Sequence, residues 1–171
     1  MMDVETAIRT RRTHKAYGPE PVDRRTLDEL LELARWAPNH HLTNPWRFRV
    51  LGPRSRARLK EAAGPEAAGK LDRAPTLVLV SAVLPEDPVA AEEDLLAAGC
   101  AVYALLLGAH ARGLAAYWRT PAVMRTDAGR AALGIDDPRE RAIALVHLGP
   151  RRQEKAPPAR APLADVVAYL D

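Results

Sequence analysis

The chain has 171 residues, 47% of them hydrophobic and 27% charged, with a formal net charge of +3 and a sequence pI near 9.3. That length makes one domain with a buried core, and the hydrophobic fraction excludes a disordered chain. A single cysteine, Cys100, excludes a disulfide framework and multi-cysteine metal sites. No uncharged apolar run reaches the roughly 18 residues a spanning helix needs, and the amino end carries acids instead of an apolar leader. The expectation is a single globular domain over residues 1–171, cytoplasmic and reduced, with no membrane partner.

Asp3 caps a first helix with Val4, Ala7 and Ile8 on one face, which should run to about Arg12 and fail before Gly18-Pro19. Thr26 and Glu29 have capping-box spacing, Leu27, Leu30, Leu31 and Ala34 make one helical face, and Pro38 stops the helix near Ala37. Trp36, at its end, reads either as core or as the wall of a pocket. Trp46 to Leu51 alternates large apolar and basic residues, as a half-buried strand does, and 54–63 reads as a short charged helix. Thr76 to Val83 is apolar on both faces, the pattern of a central strand.

From Ala90 to Ala111 the chain is a proline-free helix former, apolar nearly all round, which belongs inside a core or between subunits. Cys100 within it reads as a buried, inert thiol. Gly113 ends this helix, Leu114 to Trp118 reads as a strand, a short helix near 126–133 stops at Gly134, and Ala142 to Leu148 is another strand. A proline-rich arm over 150–161 leads into an expected amphipathic helix, 162–170. The fold class is α+β, with about four strands flanked by helices.

Several chemistries fail on their residues. Gly64 to Lys70 has the spacing of a phosphate-binding loop, but Leu71 stands where a hydroxyl must hold magnesium and Pro65 removes an N–H. Neither Ser55 nor Ser81 sits in a nucleophile elbow, and His14, His40, His41, His110 and His147 include no i, i+4 pair. An enzyme built on this chain therefore takes its reactivity from a cofactor.

Two segments remain. Arg11-Arg12-Thr13-His14-Lys15 gathers cations at the end of the first helix, where they either complement the helix dipole or grip a phosphate. Ala37-Pro38-Asn39-His40-His41-Leu42-Thr43-Asn44-Pro45-Trp46 leaves a capped helix and enters a strand, its backbone fixed by two prolines and its side chains rich in donors. Together with Gly113-Leu114 through Trp118-Arg119-Thr120, Leu148-Gly149-Pro150, and Arg160-Ala-Pro-Leu163, in that order, these segments resemble the nitroreductase family of FMN oxidoreductases over nearly the whole chain.

That resemblance implies a nitroreductase-like fold, with a central, mostly antiparallel sheet in a homodimer that binds two FMN at the subunit interface. It implies that Arg11 and Thr13, with Arg12 beside them, bind the phosphate and ribityl chain, and that Lys15 is the cation near the flavin pyrimidine. Pro38, Asn39 and His40 would form the loop one subunit lays against the other's flavin, and Trp118, Arg119 and Thr120 would run along the ring edge. Arg160 would close on the phosphate from the tail, with Arg151 and Arg152 as alternatives. The implied reaction passes hydride from NADH or NADPH through flavin N5 to a small planar acceptor, a nitroaromatic or a quinone. Leu42 departs from the polar residue common in the family. The rival readings are a non-enzymatic binder of anions or nucleic acid using the basic amino-terminal third, and a flavoenzyme of the same fold with another chemistry, such as reductive dehalogenation. One Phe and 5% aromatics leave few platforms for bases to stack on, so no nucleic-acid partner is expected.

Overall fold

A computed structural model describes residues 2–170. Its elements in chain order are α1 (Val4–Thr10), α2 (Arg24–Ala34), β1 (Trp46–Val50), α3 (Pro53–Ala63), α4 (Pro65–Ala68) and β2 (Thr76–Val83). They continue with α5 (Pro88–Ala111), β3 (Leu114–Arg119), α6 (Asp127–Ala132) and β4 (Glu140–Pro150), and single 3-10 turns lie at His40–Leu42, Ala122–Arg125 and Leu163–Asp165. The strands form one antiparallel sheet in the order β1-β2-β4-β3.

Both faces of this sheet are covered, which is why β2 reads as an unbroken apolar run. Val78 and Val80 point with Val146 and Leu148 of β4 into a core closed by α2 and α5. Leu77, Leu79 and Leu145 point the other way, toward Leu59 of α3 and Ala132 of α6. α5 is long and apolar enough to cross a bilayer, yet here it is the central helix of the first core, with Ala98, Ala101, Val102 and Leu105 fully enclosed. At its carboxyl end Gly113 takes φ +73°, a conformation glycine adopts without strain, and turns the chain into β3.

The differences from expectation have local causes. α1 stops at Thr10, short of Arg12, because His14 N–H bonds the carbonyl of Ala116 and Thr13 bridges Ala116 in parallel, so the sheet edge captures the segment. α2 is capped by Asp23, whose carboxylate accepts from the Thr26 amide at 2.9 Å and hydroxyl at 2.7 Å, which displaces Thr26 as the cap. Glu29, freed from a capping box, pairs with Arg25 and Arg112. The expected helix over 162–170 is absent: one 3-10 turn forms at Leu163–Asp165 and the rest is irregular and exposed. A helix of that length has too few hydrogen bonds to persist without a face to pack on.

Candidate functional site

The cationic segment 11–15 lies along the outer edge of β3, and the carboxyl end of α5 lies beneath it. Thr10 donates its hydroxyl to Thr6 O at 2.5 Å and accepts from His110 Nε2 at 2.8 Å, which fixes the Nε2–H tautomer and ties α1 to α5. Burial and the charges of Arg151, Arg11 and Arg12 hold His110 below its ordinary pKa; burial, Lys155 and Arg151 do the same to His14. Two neutral imidazoles thus sit among four cations and one acid, Glu154, which pairs with Arg151 at 3.0 Å, and the net positive setting favours an incoming anion.

Arg12 turns back on its own helix and donates to Arg9 O at 2.7 Å and Arg11 O at 2.5 Å, satisfying carbonyls that the helix end leaves open. Arg11 makes no such bond with its guanidinium, and the buried Nε atoms of both arginines have no hydrogen-bond partner among the described residues. An oxyanion of phosphate type meets that need. From the tail, Lys155 donates to Thr13 O at 2.9 Å and Arg151 reaches toward His110 O at 3.5 Å. Arg151 and Lys155 are therefore the tail cations beside the segment, whereas Arg160 and Arg152 make no hydrogen bond to it among the described residues. Lys15 and Arg119 flank the ring of Tyr117, at 5.9 and 5.7 Å from its centroid.

A groove of about 810 Å³ opens along α5. Leu96, Gly99, Cys100 and Tyr103 line one wall, Pro38 and Trp36 one end, and Trp118 with Ile143 the sheet side. Trp118 is anchored by its indole N–H to Ile143 O at 3.3 Å. One expectation is corrected: Cys100 is exposed in this groove, not buried; of the two readings of Trp36, the structure matches the wall, since it lines the groove and is 75% exposed. Strand alternation separates Trp118 from Arg119, whose guanidinium goes to the opposite face and donates to Lys70 O at 3.1 Å. Thr120 follows the strand end, exposed.

The loop after α2 is built on the acidic amino end of α5. His40 Nδ1 lies 2.8 Å from Glu93, and Thr43 donates to the buried carboxylate of Asp94 at 2.5 Å. Asn39 uses its side-chain oxygen to accept the Asn44 amide at 2.9 Å. These bonds hold three non-glycine residues, His41, Leu42 and Asn44, at positive φ, a strained form that persists where its surroundings fix it. Within one chain this loop and the cationic segment sit at opposite ends of α5: Glu93 to His110 is 17 residues, roughly 25 Å of helix.

Several of the remaining basic residues of the amino-terminal third are engaged in ion pairs. Arg24, Arg25, Arg35 and Arg49 are paired with Asp28, Glu29, Glu32 and Glu140. Sequence reasoning found the 11–15 and 37–46 segments but missed Lys155, His110 and the Glu93–Asp94 clamp. The five acids over residues 84–100, without a base among them, were the one available signal for the clamp.

This fold and site define an α+β class with a cationic edge and an apolar groove. The sequence profile of the nitroreductase family matches residues 8–69 and 63–150, and the chain belongs to that family. It is 31% identical to a provisionally named NAD(P)H nitroreductase of Haemophilus influenzae, over 99% of this chain and 100% of that protein. A provisionally named nitroreductase from Desulfovibrio desulfuricans, solved in complex with FMN, is 30% identical with a TM-score of 0.82, covering 100% of this chain and 98% of that one. A nitroreductase-like family protein from Bacillus cereus superposes with a TM-score of 0.89 at 21% identity, covering 99% of this chain and 97% of that one.

Proposed function

We propose that the protein is an FMN-dependent NAD(P)H oxidoreductase that works as a homodimer and reduces nitroaromatic or quinone-type acceptors. The observation that carries this reading is the pair of buried, unpartnered arginine Nε atoms at the end of α1, beside Lys155 and Arg151. The two relatives at 30 and 31% identity, one solved with FMN and one named for NAD(P)H, support it.

In this reading Arg11 and the Thr13 hydroxyl hold the FMN phosphate and ribityl chain, and Arg12 shapes the helix end that presents them. Lys15 supplies a positive charge that favours the anionic reduced ring. Trp118 offers an apolar plane, Thr120 and the Arg119 backbone offer hydrogen bonds to the ring edge, and Pro38 closes one end of the groove against water. FMN, when bound, supplies the redox chemistry by accepting hydride from NAD(P)H and passing it to the acceptor, so the chain needs no nucleophile of its own.

A second copy completes the site. Asn39 and His40 lie roughly 25 Å from their own chain's cationic segment, so they join a flavin site only if two α5 helices pack antiparallel about a two-fold axis. Leu96, 64% exposed, with Tyr103 and Leu107 gives α5 an apolar stripe for that contact. The tail ends in exposed Leu163, Val166, Tyr169 and Leu170, side chains suited to lie on a neighbour, and Arg160 travels with them. The test is a flavin absorption spectrum and a solution mass. Yellow protein of twice the chain mass is expected; a colourless monomer that FMN cannot restore overturns the reading.

A further inference from the structure

β4 runs past the end of its neighbour. β3 stops at Arg119, paired with Leu145, whereas β4 starts at Glu140, so residues 140–144 have an open edge on that side. The chain leaving β3 passes Thr120 and Pro121 into the 3-10 turn Ala122–Arg125. That route sets Arg125 beside Arg141 at the rim where the apolar groove meets a second cleft of about 500 Å³.

The charges of this cleft are unevenly matched. Arg130 donates to Glu140 O at 2.8 Å and Asp137 O at 2.9 Å, and Arg139 pairs with Asp137. The carboxylate of Glu140 is taken by Arg49 and Ser81, which leaves Glu86 as the remaining acid, in the field of Arg139. Arg125 and Arg141 have no hydrogen-bond or ion-pair partner among the described residues. Two unpaired guanidiniums thus stand at one end of an apolar slot that Trp118 and Ile143 wall. No residue of α5 lines the cleft itself.

We infer that Arg125 and Arg141 form an anion-recognition site that selects substrates carrying a phosphate or carboxylate in addition to a planar group held in the groove. This rests on the oxidoreductase reading and names its substrate class. Guanidinium forks match either anion, and Arg125 and Arg141 stand exposed at the rim, open to an incoming one.

The test compares FMN-loaded wild type with Arg125→Gln, Arg141→Gln and the double variant, with Arg24→Ala as a surface control. Two ratios are read: KM for NADPH against NADH, and KM for 4-nitrobenzoate against the uncharged 4-nitrobenzamide. The double variant should raise the anionic-to-neutral ratio about tenfold or more in at least one pair. A change confined to the NADPH ratio assigns the site to the cofactor's extra phosphate, and one confined to the nitrobenzoate ratio assigns it to the acceptor's carboxylate. Ratios unchanged in both pairs overturn the inference. Benzoate against benzamide binding, followed by calorimetry, keeps the arginines testable if no turnover occurs: weaker benzoate binding in the double variant upholds the site, and equal binding removes it. Absent turnover with any reductant would count against the oxidoreductase reading alone.

Discussion

His147 gives a sharp pH signature. It lies on β4, 1% exposed, facing away from α5, with its ring 6.3 Å from that of Tyr117 and with Leu77 opposite on β2. Its Nε2 is buried and without a hydrogen-bond partner among the described residues. Burial above all, and then the charges of Arg119, Arg56 and Arg73, push its pKa down from 6.5 to about 3. An unfolded chain binds a proton at this ring below pH 6.5 and the folded chain does not, so stability is full above that value and falls as the pH drops toward 3. One such proton changes stability by up to about 1.4 kcal/mol per pH unit, or about 2.3 kcal/mol between pH 6.5 and 4.5, since the unfolded ring is half protonated at the upper end. His14 and His110 are lowered in the same direction, so the wild-type slope contains more than one proton. His147→Leu removes only this ring and keeps an apolar side chain in the space. Urea unfolding of both proteins across that pH range should give a shallower slope for the variant by about one proton. Parallel curves would refute the assignment.

Other expected outcomes follow from single contacts. Glu140→Ala should cost about 3 kcal/mol or more in urea unfolding, because it strands Arg49 and Ser81 at a carboxylate that is 5% exposed; a loss below about 1 kcal/mol would mean water already screens the pair. Asp23→Ala should lower the urea midpoint more than Thr26→Val does, since Asp23 is the cap of α2; the reverse order would restore Thr26 to that role. Gly149→Ala should destabilise by about 1–3 kcal/mol, since its Cβ would stand 2.7 Å from the stiff Pro75 ring; an unchanged denaturation midpoint would show that Pro75 shifts freely.

The elements most legible in the sequence were those whose packing matches their local pattern. β2 alternates between two cores and so reads as apolar throughout, and α5 carries no internal proline and is apolar nearly all round because one side is core and the other an exposed groove. The same property hid the exposure of Cys100, since an all-apolar helix does not reveal which side remains uncovered. Helix ends were less legible where distant groups decide them: Thr10 ends α1 because Ala116 captures the next residues, more than a hundred positions away. The cationic segment could be read from adjacent arginines, but its division of labour could not. Arg12 caps its own helix while Arg11 stays free, and the tail cations beside it are Arg151 and Lys155, which the extended path from Pro150 brings back past Tyr17 and Thr13. The opposite facing of Trp118 and Arg119 follows from strand alternation and was legible once β3 was drawn.

The most direct check is the affinity for FMN, followed by quenching of its fluorescence, in wild type, Arg11→Ala and Arg24→Ala. Loss of the unpaired guanidinium at the end of α1 should weaken binding at least about tenfold, while Arg24, engaged with Asp28 on the surface of α2, should be dispensable. Equal retention of FMN by both variants would leave Arg11 as a helix-end charge and contradict the account.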